Sequence, residues 1–281
     1  MINKSFCSIV IVTFNPDNRF LENIKVLSKI SFLKNIFVVD NSTKRSDVIN
    51  TLQSFPKVSV LKNNKNEGIG YAQNIGIYEA KALGYKWVLT LDHDTIVNEL
   101  LLVKYKNFID NNDCSKIAVL ATDYYDIGSK RLKFNNSTPI DVSLTISSGS
   151  LLNIDVYDNI GKLKENYFID QVDNEYCYRA IKNGFRIVIL PGLGMEHRLG
   201  KTKEVNLFGK TFFLYNQVPI RTFFRTRNML YFAREYSDMK LWREKICAIF
   251  IDFFKLLLEE NSLNKIFQFC RGIYHGVVDK I

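Results

Sequence analysis

The amino-acid sequence predicts an α/β fold with a mostly parallel central sheet and flanking helices. Residues 8–14, 36–40 and 87–91 are apolar runs rich in β-branched side chains, which is typical of strands buried on both faces. Segments with helical spacing lie between these runs, and the connections are short. Strands and helices that alternate in this way indicate a parallel sheet covered by helices.

The other elements of the first half follow in order. Residues 20–30 come after the turn signal Asn15-Pro16-Asp17 and carry apolar side chains at helical spacing. Residues 58–61 predict a short third strand. Residues 70–83 predict a helix with small side chains on one side.

The second half continues the pattern with longer connections. We predict a helix, a strand, a hairpin, a second helix and a final strand at residues 99–109, 117–121, 123–142, 173–183 and 185–190, respectively. Gly184 is expected to end the second helix, because glycine is common just after a helix. Pro191-Gly192 is expected to end the final strand.

We predict two regions in the chain. The α/β domain covers residues 1–220, and a C-terminal helical region covers residues 221–281, where aromatic side chains alternate with Lys and Arg. The spacing in the second region favours two or three amphipathic helices.

Composition limits the functions to consider. The 281 residues carry a formal net charge of +9, which suggests an anionic partner such as a phosphorylated substrate or a membrane surface. Lys and Arg are spread along the chain, so we expect no nucleic-acid-binding surface. The 5 cysteines form no Cys-x-x-Cys pair and are odd in number, which favours reduced thiols in a cytoplasmic protein. We also expect neither a signal peptide before the first strand nor a membrane span, which needs about 18 uninterrupted apolar residues.

Polar side chains recur where the predicted strands end. Ligands of open α/β sheets bind outside the carboxyl ends of the strands, so these side chains are expected to line one crevice. The residues concerned are Thr13, Asn15, Asp40, Asn41, Asp92 and Asp94.

Asp92-His93-Asp94 directly follows a buried strand and is a candidate metal site. Two carboxylates one residue apart can hold Mg²⁺ or Mn²⁺ together with phosphate oxygens. Acidic residues also cap strands and turns, so the tripeptide alone is a weak signal. His197 follows another strand, and a neutral imidazole is a good metal ligand, although a single histidine is more often structural.

Two glycine-containing segments suggest close approach of the backbone to a ligand. Residues 66–76 carry Gly68, Gly70 and Gly76 at the start of a helix, where backbone amides favour anions. Gly149 lies among the small residues of Ser147–Ser148–Gly149–Ser150. The alternative in both cases is a tight turn with close packing.

A cluster of acidic residues lies at the start of the helix predicted at 173–183. Asp170, Asp173 or Glu175 could deprotonate a hydroxyl group. Acidic residues are favoured at this end of any helix, so the cluster has a purely structural explanation as well.

Taken in chain order, these motifs resemble family 2 of the inverting glycosyltransferases, which has the GT-A fold. The subgroup they are most similar to is the bacterial rhamnosyltransferases, which share the pattern Phe-Ile-Asp-x-Val-Asp-x-Glu at 168–175 and an Arg-Asn pair like Arg227-Asn228. Many relatives have Glu-Asp where this chain has Val172-Asp173. The motifs that carry the resemblance are Val-Thr-Phe-Asn-Pro16, Asp40-Asn41, Asn66-x-Gly-x-Gly-x-Ala-x-Asn-x-Gly76, Leu-Asp-x-Asp94, Ser-Ser-Gly-Ser150 and Asp173-x-Glu-x-x-x-Arg179.

The resemblance implies an activity. The chain would move a sugar, with L-rhamnose from dTDP-L-rhamnose preferred over the glucose or galactose of another UDP or dTDP donor. The acceptor would be a saccharide or a lipid-linked saccharide in the synthesis of a cell-wall, capsular or O-antigen polysaccharide. The transfer reaction would take place at the cytoplasmic face of the membrane.

The resemblance also implies a role for each site residue. The metal ligands would be Asp92 and Asp94 with His197, and the base would be Asp173, with Glu175 and Asp170 as alternatives. The substrate-binding residues would be Thr13, Asn15, Asp40, Asn66, Gly68, Ala72, Asn74, Asp92, Gly149 and Arg227.

Two other classes of function fit the sequence less well. A nucleotidyltransferase would be expected to have a glycine-rich basic loop after its first strand, where this chain has Thr13-Phe-Asn-Pro-Asp17. A non-enzymatic membrane-associated binding protein would leave the strand-end acidic groups unexplained.

The C-terminal helices are expected to contact the membrane peripherally. Apolar side chains crowd one arc of a helix and basic side chains lie nearby, a pattern of interfacial helices. Packing on the α/β domain or in a homo-oligomer explains the pattern equally well. The apolar residues are Phe250, Phe253, Phe254, Leu257 and Leu258, and the basic ones are Lys245, Lys255, Lys265 and Arg271.

Overall fold

The computed structural model describes residues 6–44, 46–97, 99–127, 130–197, 203–207, 210–236 and 238–280. The strands are β1 Cys7–Thr13, β2 Ile36–Asp40, β3 Val58–Lys62, β4 Trp87–Asp92, β5 Ile96–Val97, β6 Ile117–Asp126, β7 Arg131–Leu132, β8 Ile140–Asp141, β9 Ser150–Asn153, β10 Arg186–His197, β11 Lys203–Leu207 and β12 Lys210–Leu214. The α-helices are α1 Asn18–Lys29, α2 Asp47–Thr51, α3 Ile69–Ala82, α4 Glu99–Asn111, α5 Ile154–Ile160, α6 Val172–Lys182, α7 Pro219–Tyr236, α8 Met239–Leu256 and α9 Ser262–Val278.

The central sheet has the strand order β3-β2-β1-β4-β9-β6-β10-β5, with β7 beside β6 and β8 beside β10. The neighbours β3, β2, β1 and β4 are parallel, and so are β6 and β10. The strand β9 runs antiparallel between β4 and β6. The prediction of an α/β fold with a mostly parallel sheet is therefore confirmed, and β9 joins its two parallel parts.

Helices cover both faces of the sheet, because alternate side chains of each central strand enter different cores. In β1, Ile9 and Ile11 pack with Phe20 and Ile24 of α1. Val10 faces the other way and packs with residues of α3 and α6. This double burial explains why the strand has an uninterrupted apolar sequence.

Two predicted boundaries differ from the structure. The strand predicted at 185–190 continues through Pro191-Gly192, and the register of β10 against β6 shifts at this point. At this bulge Lys104 Nζ donates to Pro191 O and to Gly192 O, over 3.0 Å each. The strand predicted at 117–121 continues as β6 to Asp126, and its end forms a short hairpin with β7 inside the predicted segment 123–142, with Tyr125 opposite Leu132. The strand β8 pairs with β10 instead.

The C-terminal region consists of α7, α8 and α9, which share a third core that includes Met229, Ile249 and Phe269. Glycines of α9 face α7 closely. A Cβ at Gly272 would lie 2.8 Å from Phe223 O, and a Cβ at Gly276 would lie 2.6 Å from a methyl of Leu230.

The helix α7 also packs against the α/β domain. Its Tyr231 and Phe232 belong to the same core as Val172 and Tyr176 of α6. The domain boundary at residue 220 stays a prediction, and α7 is in contact with the elements on both sides of it.

Two of the four basic side chains expected to meet lipid headgroups point inward. Lys265 is 2% exposed and pairs with Glu259 over 2.8 Å. Lys245 donates to Gln171 of the α/β domain over 2.9 Å. Within the described residues, we find no helix with both the length and the apolar character that a membrane span requires.

Candidate functional site

The carboxyl ends of β1 and β2 carry a buried polar cluster, in which Thr13 lies opposite Asp40. Thr13 Oγ1 donates to Asp40 Oδ1 over 2.9 Å, and the backbone N–H of Ser42 donates to the same oxygen over 3.0 Å. Asn15 is exposed just beyond β1, and its backbone N–H donates to Ser42 Oγ over 2.8 Å. Ser42, which the sequence analysis missed, thus links the two strand ends.

Asp92 ends β4 at the same edge of the sheet, because β4 is in parallel register with β1. The following turn is held by Ser148, whose Oγ accepts the backbone N–H of Asp92 over 3.0 Å and lies 2.7 Å from Thr95 Oγ1. Asp92 is partly buried and Asp94 is exposed. The three strand ends meet at one edge, as predicted, and the individual nucleotide contacts stay predictions.

Packing within the protein explains the glycine at position 149. Gly149 has φ +79°, and a Cβ there would lie 2.3 Å from Met195 Sδ. Its carbonyl accepts a hydrogen bond from Tyr105 Oη over 2.5 Å. A contact between Gly149 and a substrate stays a prediction.

The turn before α3 is also explained by packing. Asn66 Oδ1 accepts the backbone N–H of Gly68 over 3.0 Å. Gly68 has φ +88°, and a Cβ there would lie 2.5 Å from Phe168 O. The glycine therefore lets the start of α3 touch the backbone that leads into α6.

Ala72 and Asn74 lie deeper in α3, away from solvent. Ala72 is in the core, and Asn74 is 7% exposed. The amide of Asn74 accepts from Tyr157 Oη over 2.8 Å and donates to Leu163 O over 2.9 Å. These contacts hold the segment after α5, and a role of either residue in nucleotide binding stays a prediction.

Residues 167–171, here called the 167–171 loop, lead into α6 with an unusual backbone. The residues of the loop with φ between +64° and +66° are Phe168, Asp170 and Gln171. The N–H of Ile169 donates to Tyr167 O over 2.8 Å across Phe168, which has ψ −63° and forms a strained γ-turn. Phe168 O in turn accepts the N–H of Ile69 over 2.6 Å. Non-glycine residues in such conformations cost about 1–3 kcal/mol each, and they persist where the surrounding contacts impose them.

Asp170 of this loop forms an ion pair with Arg221 of α7. Arg221 Nη2 lies 2.6 Å from Asp170 Oδ1, and Nε lies 3.2 Å from Oδ2. Burial acts to lower the pKa of Arg221, but the carboxylates of Asp170, Asp92 and Asp173 raise it overall. Arg221 therefore interacts electrostatically with Asp92 at the end of β4 and with Asp170 and Asp173 near the start of α6.

Asp173 lies in the first turn of α6 and is partly buried. Its Oδ1 accepts the backbone N–H of Asn174 over 2.9 Å. Burial raises the pKa of Asp173 to about 6, with a further contribution from the charge of Asp170. A carboxylate of this basicity is suited to accept a proton near neutral pH.

Lys245 of α8 contacts the 167–171 loop, which leads to Asp173, and was not predicted as a site residue. Its Nζ donates to Gln171 Oε1 over 2.9 Å. Burial lowers the pKa of Lys245 to about 8, although the charges of Glu244 and Asp173 act to raise it. The C-terminal helices thus contribute two cations, Arg221 and Lys245, to the surroundings of Asp173.

Glu175 faces away from Asp173 into the core. It is 0% exposed, and Arg179 donates to it with Nε at 2.7 Å and Nη2 at 2.9 Å. Tyr236 Oη donates to the same carboxylate. Arg179 also donates with Nη1 to Ile160 O over 2.6 Å. This network joins α6 to α5 and α7 and gives Glu175 a structural role.

Arg227, predicted to bind substrate, is engaged by backbone carbonyls. Its Nη2 donates to Asn166 O over 2.9 Å and to Tyr167 O over 3.3 Å. Its guanidinium lies 5.0 Å from the ring centre of Phe224 and 4.9 Å from that of Tyr231. These contacts attach the 167–171 loop to α7, and a substrate contact stays a prediction.

The carboxylates of Asp92 and Asp94 are of the kind that binds a hard cation when phosphate and water supply the other ligands. Among the side chains that the structure describes, no group of three or more His, Cys, Asp or Glu could hold a metal. Asp92 and Asp94 supply carboxylate oxygens, and Mg²⁺ is often bound by one or two carboxylates together with phosphates and water. His197 ends β10, and its side chain lies outside the described part of the chain.

Comparison with known proteins adds sequence and fold matches. A family model described as Glycosyl transferase family 2 matches residues 8–164. The dTDP-rhamnosyl transferase RfbF of Shigella flexneri is 31% identical over 243 residues, which cover 80% of this chain and 79% of that protein.

Two solved structures have the same fold. Fragment 1-349 of S. aureus TarS superposes on 98% of this chain and 75% of its own, with a TM-score of 0.59 and 18% identity. GalNAc-T7 with UDP, GalNAc and Mn²⁺ superposes on 85% of this chain and 49% of its own, with a TM-score of 0.62 and 14% identity. The chain spans only 37% of another TarS structure and 60% of a TarS complex with UDP.

The raised pKa of Asp173 predicts a measurable dependence of stability on pH. The folded protein holds this proton up to about pH 6, whereas the unfolded chain releases it near pH 4. The contribution of Asp173 to the free energy of unfolding should therefore fall as pH rises from about 4 to 6. Asp173→Asn removes this loss and should be more stable than the wild type at pH 7 by about 1–3 kcal/mol.

Chemical denaturation at several pH values measures the effect. Asp155→Asn, at an exposed position in α5, is the matched control and should follow the wild type. A difference between Asp173→Asn and the wild type that stays constant from pH 4 to 7 would contradict the assignment.

Proposed function

The chain belongs to glycosyl transferase family 2, and on this premise we propose that it transfers L-rhamnose from dTDP-L-rhamnose to a saccharide acceptor, with inversion at the anomeric carbon. The observation that carries the proposal is the arrangement around Asp173. Asp173 has a raised pKa, and its charge acts on Arg221 and on Lys245, which bond to Asp170 and Gln171 just before it. The charge of Asp92 also acts on Arg221. The rhamnose donor is supported by the similarity to the Shigella flexneri transferase.

In the proposed reaction, Asp173 removes the proton of an acceptor hydroxyl. The oxygen then attacks the anomeric carbon of the donor, and the bond from that carbon to the diphosphate oxygen breaks. A base with a pKa of about 6 is deprotonated at neutral pH and is more basic than an ordinary aspartate. Glu175 is a poorer candidate because Arg179 and Tyr236 already occupy its oxygens.

Negative charge that develops on the leaving diphosphate must be stabilised. Asp92 and Asp94 would hold Mg²⁺ or Mn²⁺, and the bound cation would neutralise the diphosphate oxygens. The side chain of Arg221 is 34% exposed, and the charges of Asp92 and Asp173 act on it. Arg221 would therefore help to neutralise the diphosphate when donor is bound. Thr13 and Asp40 would hold the nucleoside at the neighbouring strand ends.

A hydrolysis screen over purified nucleotide sugars tests the donor and the metal together. We expect release of dTDP from dTDP-L-rhamnose to exceed that of UDP or dTDP from glucose and galactose donors. The reaction should need Mg²⁺ or Mn²⁺ and stop in EDTA, and Asp94→Ala should lose metal-dependent donor binding while keeping the wild-type circular dichroism spectrum. Preference for another sugar would contradict the rhamnose assignment, and full activity in EDTA would contradict the metal.

Replacing the proposed base should remove turnover and keep donor binding. We expect Asp173→Asn to reduce kcat by at least about 100-fold, the scale of a lost general base. Glu175→Gln is the control in the same helix and should affect stability more than kcat. If Glu175→Gln is inactive and Asp173→Asn turns over normally, the two roles are reversed.

We also propose that the C-terminal helices bring the enzyme to the cytoplasmic face of the membrane, where a lipid-linked saccharide acceptor would be found. Phe250 and Phe254 of α8 are 61% and 64% exposed, and Leu263 and Phe267 of α9 are 84% and 60% exposed. Exposed cations accompany them at Lys240, Arg243 and Arg271. Apolar side chains with basic neighbours favour binding to anionic lipid surfaces.

Sedimentation with lipid vesicles tests the membrane contact. The wild type should bind vesicles that contain anionic lipid, and salt should weaken the binding. The double variant Phe250→Glu/Phe254→Glu should stay in solution, whereas Leu100→Glu, at an exposed apolar position of α4, should bind like the wild type. If the double variant changes the mass of the protein in solution and not its vesicle binding, the face serves assembly of copies instead.

A further inference from the structure

We infer that Asn228 is a positioning residue, which holds the 167–171 loop in its strained conformation and thereby sets the place of Asp173. This inference rests on the proposed role of Asp173 as the base. It gives the Arg227-Asn228 pair a function that is distinct from binding the donor.

The contacts of Asn228 are concentrated on that loop. Asn228 is 0% exposed, and its Nδ2 lies 2.7 Å from Tyr167 O, 2.8 Å from Ile169 O and 2.9 Å from Asp170 O. One buried amide therefore meets three carbonyls of a five-residue loop. An extended or helical segment would not turn these three carbonyls towards one point, so the contact is specific for the γ-turn and the left-handed residues that follow it.

The orientation of the Asn228 amide is fixed by its neighbour. Arg227 donates to Asn228 Oδ1 with Nε at 3.0 Å and Nη2 at 2.9 Å. An acceptor that meets two guanidinium N–H groups must be the oxygen, so the nitrogen faces the loop. Arg227 is itself held between aromatic side chains of α7, with the centre of the Phe223 ring 5.3 Å away and that of Tyr231 4.9 Å away.

The loop leads directly to Asp173. Gln171 is the residue before α6, and its left-handed backbone sets the direction in which the helix starts. Asp173 lies two residues later, in the first turn. Release of the loop carbonyls would let this turn move, and a displacement of about 1 Å is enough to reduce a rate by about 100-fold.

The experiment measures turnover and donor binding in variants of Asn228. Asn228→Ala removes the amide, Asn228→Asp keeps its size with acceptors only, and Asn228→Leu keeps apolar volume. We expect each to reduce kcat by about 10- to 100-fold while calorimetry gives a donor Kd close to that of the wild type. The matched control is Asn153→Ala, another buried amide, which donates to Ile117 O over 3.1 Å at the opposite end of the sheet. It should lower Tm and leave kcat unchanged.

A double variant separates positioning from general destabilisation. If Asn228 acts through Asp173, Asn228→Ala should reduce kcat no further in the Asp173→Asn background. Losses that multiply in the double variant, or wild-type turnover in Asn228→Leu, would overturn the inference. Wild-type turnover in Asp173→Asn would instead overturn the proposed base. An inactive Asp173→Asn beside an active Asn228→Ala would remove the positioning role alone.

Discussion

The parallel register of β1, β2 and β4 is the constraint on which the rest of the site depends. Backbone hydrogen bonds fix Thr13 opposite Asp40, and they bring the end of β4 to the same edge of the sheet. A shift of one residue in any of these strands would turn its side chains to the opposite face. Burial on both faces opposes such a shift, so the positions of the strand-end side chains follow from the packing of the core.

The second half of the chain supplies further carboxylates and cations to the site, and it does so through a loop and helices, not through strand register. Asp170 lies in the strained 167–171 loop and Asp173 in the first turn of the helix that follows it. Arg221 and Lys245 lie on helices distant in sequence. Carboxylates and cations that are partly removed from water influence one another more strongly than they would at the surface. The raised pKa of Asp173 and the lowered pKa of Lys245 both have burial as their first cause. The site is thus one electrostatic unit made by two structurally different halves.

The strands and their ends could be predicted from the sequence, because β-branched apolar runs followed by polar residues are local signals. Asp173 could be chosen over Asp170 and Glu175 only through the family resemblance, because acidic residues are favoured at the start of any helix. Lys245, Arg221 and Asn228 could not be predicted as partners of the loop. A lysine or arginine on an amphipathic helix has the same local pattern whether it faces solvent, lipid or a carboxylate. The reason for glycine at positions 68 and 149 could not be predicted from the sequence either. Close approach to Phe168 O or to Met195 requires glycine just as close approach to a ligand does.

The close packing of α9 on α7 has a consequence for the order in which parts of the protein reach their final structure during synthesis. Gly272 and Gly276 of α9 contact the stretch of α7 that carries Arg227 and Asn228, and the whole of α8 lies between these two helices in the sequence. During synthesis the sheet can fold as soon as its strands have left the ribosome, since domains fold from the N-terminus onward. The helix α9, which supports α7, leaves the ribosome only after α7 and α8. A nascent chain would therefore have its strand-end edge well before the final arrangement of α7, and catalytic competence would wait for α9 to pack on α7.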